Sequence, residues 1–82
     1  MTSQEVFELV IKHTCQVLPE LEGRTFYPTD QLKELGANSL DRVEIIMMTM
    51  EALGLKFDLV ELGHVQNIGG LAEAFHAKFK AT

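Results

Sequence analysis

Ser39 is the side chain of this sequence best placed to take part in chemistry. A glycine turn, a helix cap and an acid surround it in the stretch Leu35-Gly36-Ala37-Asn38-Ser39-Leu40-Asp41-Arg42-Val43-Glu44-Ile45. Gly36 permits backbone angles that other residues resist, and Asn38 or Ser39 can cap the free amides of the helix that follows. Asp41 then places a negative charge at the positive end of that helix. The same end favours a phosphate, through its amides and its dipole, so a phosphodiester on Ser39 would lie where the backbone suits it. A helix start with no further role is the plainer reading of these residues. For Ser39 to act as a nucleophile on its own account it would need a base within hydrogen-bond reach and an oxyanion site. Its neighbours Gly36, Ala37, Asn38 and Leu40 supply neither, so the serine reads as the substrate of another enzyme.

The remaining candidates for chemistry are few. Cys15 is the single cysteine, which rules out an internal disulfide, fits a reducing compartment and reads as a small core residue on a helix. His13, His64 and His76 are far apart and share no ligand spacing, so no metal site is expected. Eighty-two residues make one domain, 1–82, too small for a deep substrate pocket with its own catalytic apparatus. A net charge of -5 argues against nucleic acid and points to basic protein partners. There is no apolar run of membrane-spanning length and no secretory leader, so the expectation is a soluble, cytoplasmic monomer that does not bind membranes.

Stepping outward, the pattern predicts helices and no strands. Residues 3 to 18 form the first, with Ser3 as cap and Val6, Phe7, Val10, Ile11, Thr14, Val17 and Leu18 recurring at three and four, while Glu5, Glu8 and Lys12 face away. Pro19 ends it. A connection over 19–38 follows, anchored by Phe26, Tyr27, Leu32 and Leu35, with Asp30 capping a short turn through Glu34. The second helix, 39 to 53, is apolar on two opposed sides: Ile45, Ile46, Thr49, Ala52 and Leu53 on one arc, Leu40, Val43, Met47 and Met50 on the other. A domain this small rarely buries both, and the second arc, edged by Asp41, Glu44 and Glu51 and rich in adaptable methionine, is read as an exposed partner face. Gly54 terminates the helix, and a marginal turn of helix over 58–63 buries Leu59, Val60 and Leu62. Asn67 caps the last helix, 68 to 80, whose stripe is Ile68, Leu71, Ala72, Phe75 and Phe79. Lys78 and Lys80 suit its C-terminal end, and Gly69 and Gly70 in its first turn imply close packing or a frayed start. The fold class is all-α: a small four-helix bundle of three main helices and a short third, with a long loop between helices one and two.

This order of elements, with LGANSLDRVEI at its centre, resembles the acyl carrier protein family and its Leu-Gly-x-Asp-Ser-Leu-Asp signature over nearly the whole chain. The resemblance implies a 4'-phosphopantetheine arm, drawn from coenzyme A by a phosphopantetheinyl transferase, on Ser39. It also implies that the second helix is the recognition face, with Leu40, Asp41, Val43, Glu44, Met47 and Glu51 meeting acyltransferase or ketosynthase-like enzymes. Asn38 stands where the family usually has Asp, and Arg42 where a small or neutral residue is common, so the site is less acidic than usual. DRVEI and VLPEL are similar to the free-standing carriers of polyketide β-branching cassettes, which present acetyl groups to a hydroxymethylglutaryl-synthase-like enzyme. Carriers that accept the branch tend to have Trp at the position of Ile45, so its absence favours the donor role. The alternatives are a general fatty-acid carrier and a helical interaction module whose serine is never modified. An enzyme ranks last, since no acid–base pair, metal set or activated nucleophile is visible.

Overall fold

The computed structural model describes residues 1–56, 58–62 and 65–81. Phe57, Gly63, His64 and Thr82, and the side chains of Leu59, Val60 and Ala81, lie outside that description, and with them what the sequence led us to expect of Phe57, Leu59, Val60 and His64. Three α-helices result: α1 (Ser3–Val17), α2 (Ser39–Leu53) and α3 (Ile68–Ala81). Two 3-10 turns, Pro19–Leu21 and Leu59–Leu62, punctuate the connections, and among the described residues there is no strand. The short third helix expected over 58–63 is thus a four-residue 3-10 turn, a length at which an α-helix closes too few hydrogen bonds to repay its nucleation.

The cap of α1 is Thr2, not Ser3. Thr2 Oγ1 accepts from the Glu5 amide at 3.1 Å, and Glu5 Oε1 accepts from the Thr2 amide at 2.8 Å. Only the Thr2–Glu5 spacing allows this reciprocal pair, and these bonds hold the Glu5 carboxyl below its ordinary range. The helix ends at Val17 because the residue before a proline is pushed out of the α region, as Leu18 is, at φ -124°.

From α1, Val6 and Val10 enter a core completed by Ile45, Leu53, Ile68, Leu71, Ala72 and Phe75, while Phe7, Ile11, Val17 and Phe79 pack half-buried at its margins. Along α2 the buried line is Ile45, Thr49 and Leu53, flanked by Ile46 and Met50. Ala52, expected on this arc, falls just beyond its edge and is exposed. The helix closes at Gly54 (φ 69°), whose left-handed backbone lets the Leu55 amide reach the Met50 carbonyl at 2.8 Å and buries Leu55.

A buried histidine was not legible in the pattern. His13 is buried between α1 and α2, its Nδ1 2.7 Å from Thr49 Oγ1. The single proton of that hydroxyl goes to the Ile45 carbonyl at 2.9 Å, so Nδ1 must carry the hydrogen and donate. Burial, helped by the charge of Lys12, pushes the imidazole below its ordinary pKa. Cys15 is half-buried, and burial together with the charge of Glu22 raises its thiol.

The first connection is stitched to the start of α3. The Ile68 and Gly69 amides donate to the Asp30 and Pro28 carbonyls at 2.9 Å each, and Gln31 and Asn67 form an antiparallel bridge. Both glycines of α3 are there for close packing: a Cβ on Gly69 would come within 2.7 Å of Pro28 Cβ, and one on Gly70 within 2.9 Å of Asn67 Oδ1. Leu32 is buried and Phe26 and Leu35 half-buried as anchors, but Tyr27 is 58% exposed. Asp30 Oδ2 accepts from the Tyr27 amide, so it closes the turn behind it and not one through Glu34. With Pro28 abutting Gly69, that tight turn leaves the phenol in solvent.

Candidate functional site

Residues 31–36 make one helical turn that ends at Gly36, φ 103°, where the Ala37 amide reaches back to the Leu32 carbonyl at 3.0 Å. This is the closure seen again at Gly54, and it needs the same left-handed backbone. Leu32 and Ala37 are both buried, which fixes where the chain re-emerges. Asn38 follows in extended geometry as the cap of α2: its Oδ1 accepts from the Asp41 amide at 2.8 Å, and Asp41 Oδ2 accepts from the Asn38 amide at 3.2 Å. The capping is therefore done by Asn38 and Asp41. Ser39, the first helical residue, has its hydroxyl free of that duty and exposed to solvent.

Arg42, one turn on, donates from Nη2 to Ser39 Oγ at 3.3 Å. A guanidinium can donate but cannot take a proton, so this contact orients the hydroxyl without activating it as a nucleophile. Around the pair is a surface depression lined by Gln31, Lys33, Asn38, Ser39, Arg42 and Gln66. Among the described residues two cations and three carboxamides line it, and no carboxylate does. That donor set fits a phosphodiester on Oγ, whose non-bridging oxygens accept hydrogen bonds and share one negative charge.

The sequence pattern singled out Ser39 but not its contact with Arg42, nor Gln31, Lys33 and Gln66 in the lining. The three-residue spacing of Ser39 and Arg42 on a helix could have revealed that contact. Lys33 and Gln31 come in through the local closure at Gly36, but Gln66 could not have been found by spacing, because the bridge between Gln31 and Asn67 brings its segment in from a distant part of the chain.

The second arc of α2 is largely open. Leu40 is 79% exposed, Met47 55%, and Val43 is exposed with them, three and four residues apart as one stripe. Glu44 and Glu51 stand exposed beside it, and Asp41 is half-buried in its cap. Met50 departs from the expectation by leaning into the core, since it sits at the seam between the buried and open arcs. Among the described residues no three His, Cys, Asp or Glu side chains gather as a metal site, and no helix is long and apolar enough to cross a membrane.

Comparison with known proteins follows the same outline. Residues 8–75 match the family model for the phosphopantetheine attachment site. The chain is 52% identical over 81 residues to the polyketide biosynthesis acyl-carrier-protein AcpK of Bacillus subtilis (strain 168), covering 99% of both. Among solved structures it matches a chain in the crystal structure of the curacin biosynthetic pathway HMG synthase in complex with acetyl donor-ACP. The TM-score is 0.90 with 46% identity, over 95% of this chain and 100% of that one.

Proposed function

Because the chain belongs to the family of phosphopantetheine-bearing acyl carriers, we propose that Ser39 holds the 4'-phosphopantetheine arm and that the protein serves polyketide assembly as the acetyl donor in β-branching. The observation that carries this reading is an exposed hydroxyl on the first residue of α2, released from capping by Asn38 and Asp41 and bordered by phosphate-binding donors. When bound, the arm supplies a terminal thiol on which acetyl or another short acyl group rides as a thioester.

The chain's own residues have three tasks. Ser39 offers its oxygen to the pantetheine-side phosphorus of coenzyme A, whose pyrophosphate bond breaks to release adenosine 3',5'-bisphosphate. The proton the serine loses goes to a base of the transferase, since the contact it has here is a guanidinium. The Asn38–Asp41 pair keeps the first turn rigid, so the attachment point does not fray. Leu40, Val43 and Met47, with Asp41, Glu44 and Glu51 around them, dock in turn with the transferase, an acyltransferase or ketosynthase-like enzyme, and a hydroxymethylglutaryl-synthase-like enzyme. Residues 1–82 act as one cytoplasmic carrier domain that catalyses no bond chemistry itself. Tethering the cargo gives each partner a high effective concentration of substrate, and charge-steered, weak docking lets the carrier leave again.

Intact mass after incubation with coenzyme A and a broad phosphopantetheinyl transferase tests the attachment. Wild type should gain one arm and Ser39→Ala none; no gain in the wild type, or a gain in both, overturns it. For the donor role, the acetyl-loaded protein is mixed with a hydroxymethylglutaryl-synthase-like enzyme and an acetoacetyl-loaded acceptor carrier. Consumption of the acetyl group supports the assignment, and an inert acetyl group favours general fatty-acid synthesis.

A further inference from the structure

We infer that Arg42 and Lys33 are positioning residues that clamp the phosphodiester of the arm, an inference that rests on the carrier reading above. Arg42 Nη2 already donates to Ser39 Oγ at 3.3 Å. Once Oγ becomes the ester oxygen, the charged phosphate oxygens lie two bonds from it, across the phosphorus, within reach of the same guanidinium fork. Lys33 enters from the turn before Gly36 and lines the same depression, with Gln31 and Gln66 adding neutral donors. The acid nearest in sequence, Asp41, is absent from that lining, and its carboxylate accepts from the Asn38 amide. A phosphate on Ser39 therefore meets cations in a chain whose net charge is -5. Both cations reach solvent, so the clamp is salt-sensitive. Its effect is to hold the base of the arm along the depression, leaving the thiol end free to travel.

The test uses protein loaded with the arm, verified by intact mass, and reads the phosphorus NMR signal together with the Arg42 side-chain N–H resonances. In the wild type the Arg42 resonances should shift when the arm is added. The phosphorus signal should differ from that of loaded Arg42→Ala/Lys33→Ala, and the difference should shrink as salt is raised. Arg42→Lys should retain part of the displacement. If wild type and the double variant load fully yet give the same phosphorus signal, with Arg42 unmoved between bare and loaded wild type, the clamp is overturned and the attachment site stands. A wild type that never gains the arm overturns both. If the double variant fails to fold or load, the comparison of bare and loaded wild type decides alone, because an Arg42 that does not respond to the phosphate is not holding it.

Discussion

Asn38 and Asn67 begin α2 and α3 in the same way, each side-chain carbonyl accepting from the amide three residues on, at 2.8 and 2.6 Å. What surrounds them differs. At α3 the next amides are taken by the Asp30 and Pro28 carbonyls, and two glycines bring helix and loop into contact. At α2 the amides of Ser39 and Leu40 meet no acceptor among the described residues, and the serine hydroxyl faces solvent beside Arg42. One start is a structural joint and the other is left available to a ligand. The cap is common to both, so what makes a helix start a site is whether the rest of the fold uses it up.

The largest expected effect is at the open start. Ser39→Ala should reduce arm loading to nothing detectable by mass while moving stability by no more than about 0.5 kcal/mol, as an exposed substitution does. At the joint, Gly69→Ala forces Pro28 to move. Overpacking of that kind costs about 1–3 kcal/mol, against at most about 1 kcal/mol regained in helix propensity, so urea unfolding should show net loss. A more stable variant would mean the joint is loose. Asn38→Ala and Asn67→Ala should each cost about 1 kcal/mol, but only the former should also slow loading by the transferase.

The seam between α1 and α2 carries a titratable link where the core contributed by α3 is hydrocarbon. The buried His13 has a pKa below its ordinary 6.5, so the unfolded chain binds the proton more readily than the folded one. Stability from this site is fully present above the unfolded value and is lost as pH falls below it toward the folded one. The urea midpoint should therefore drop between about pH 7.5 and about pH 5.5, less so in His13→Gln, with amide exchange in α2 rising before that in α3. The smallest effect on the fold is expected from Glu44→Lys on the open face. Stability should stay within about 0.5 kcal/mol, while transfer by a basic partner enzyme slows and loses its salt dependence. Unfolding instead would mean that this face is core.

The extent of α2, its glycine stop, the two-sided apolarity that left one face open and the exposed position of Ser39 at the head of the helix could all be read from local pattern. Each depends on residues within a turn or two, where side-chain spacing and backbone preference act directly. The buried role of His13, the outward turn of Tyr27 and the choice of Thr2 over Ser3 were not legible. The first two depend on which surfaces meet across the fold, and the third on a reciprocal bond that cap preference does not rank.

By itself, the order of residues determined three helices, a capped serine at the head of the second and an acid-edged stripe running away from it, because periodicity and capping are short-range properties. Only the tertiary structure decided which of two Asn-capped starts stays open, and only it set Gln66 on the depression around Ser39. That placement arises where the long connection is hydrogen-bonded to α3, and no short-range rule specifies which distant carbonyl an amide will find.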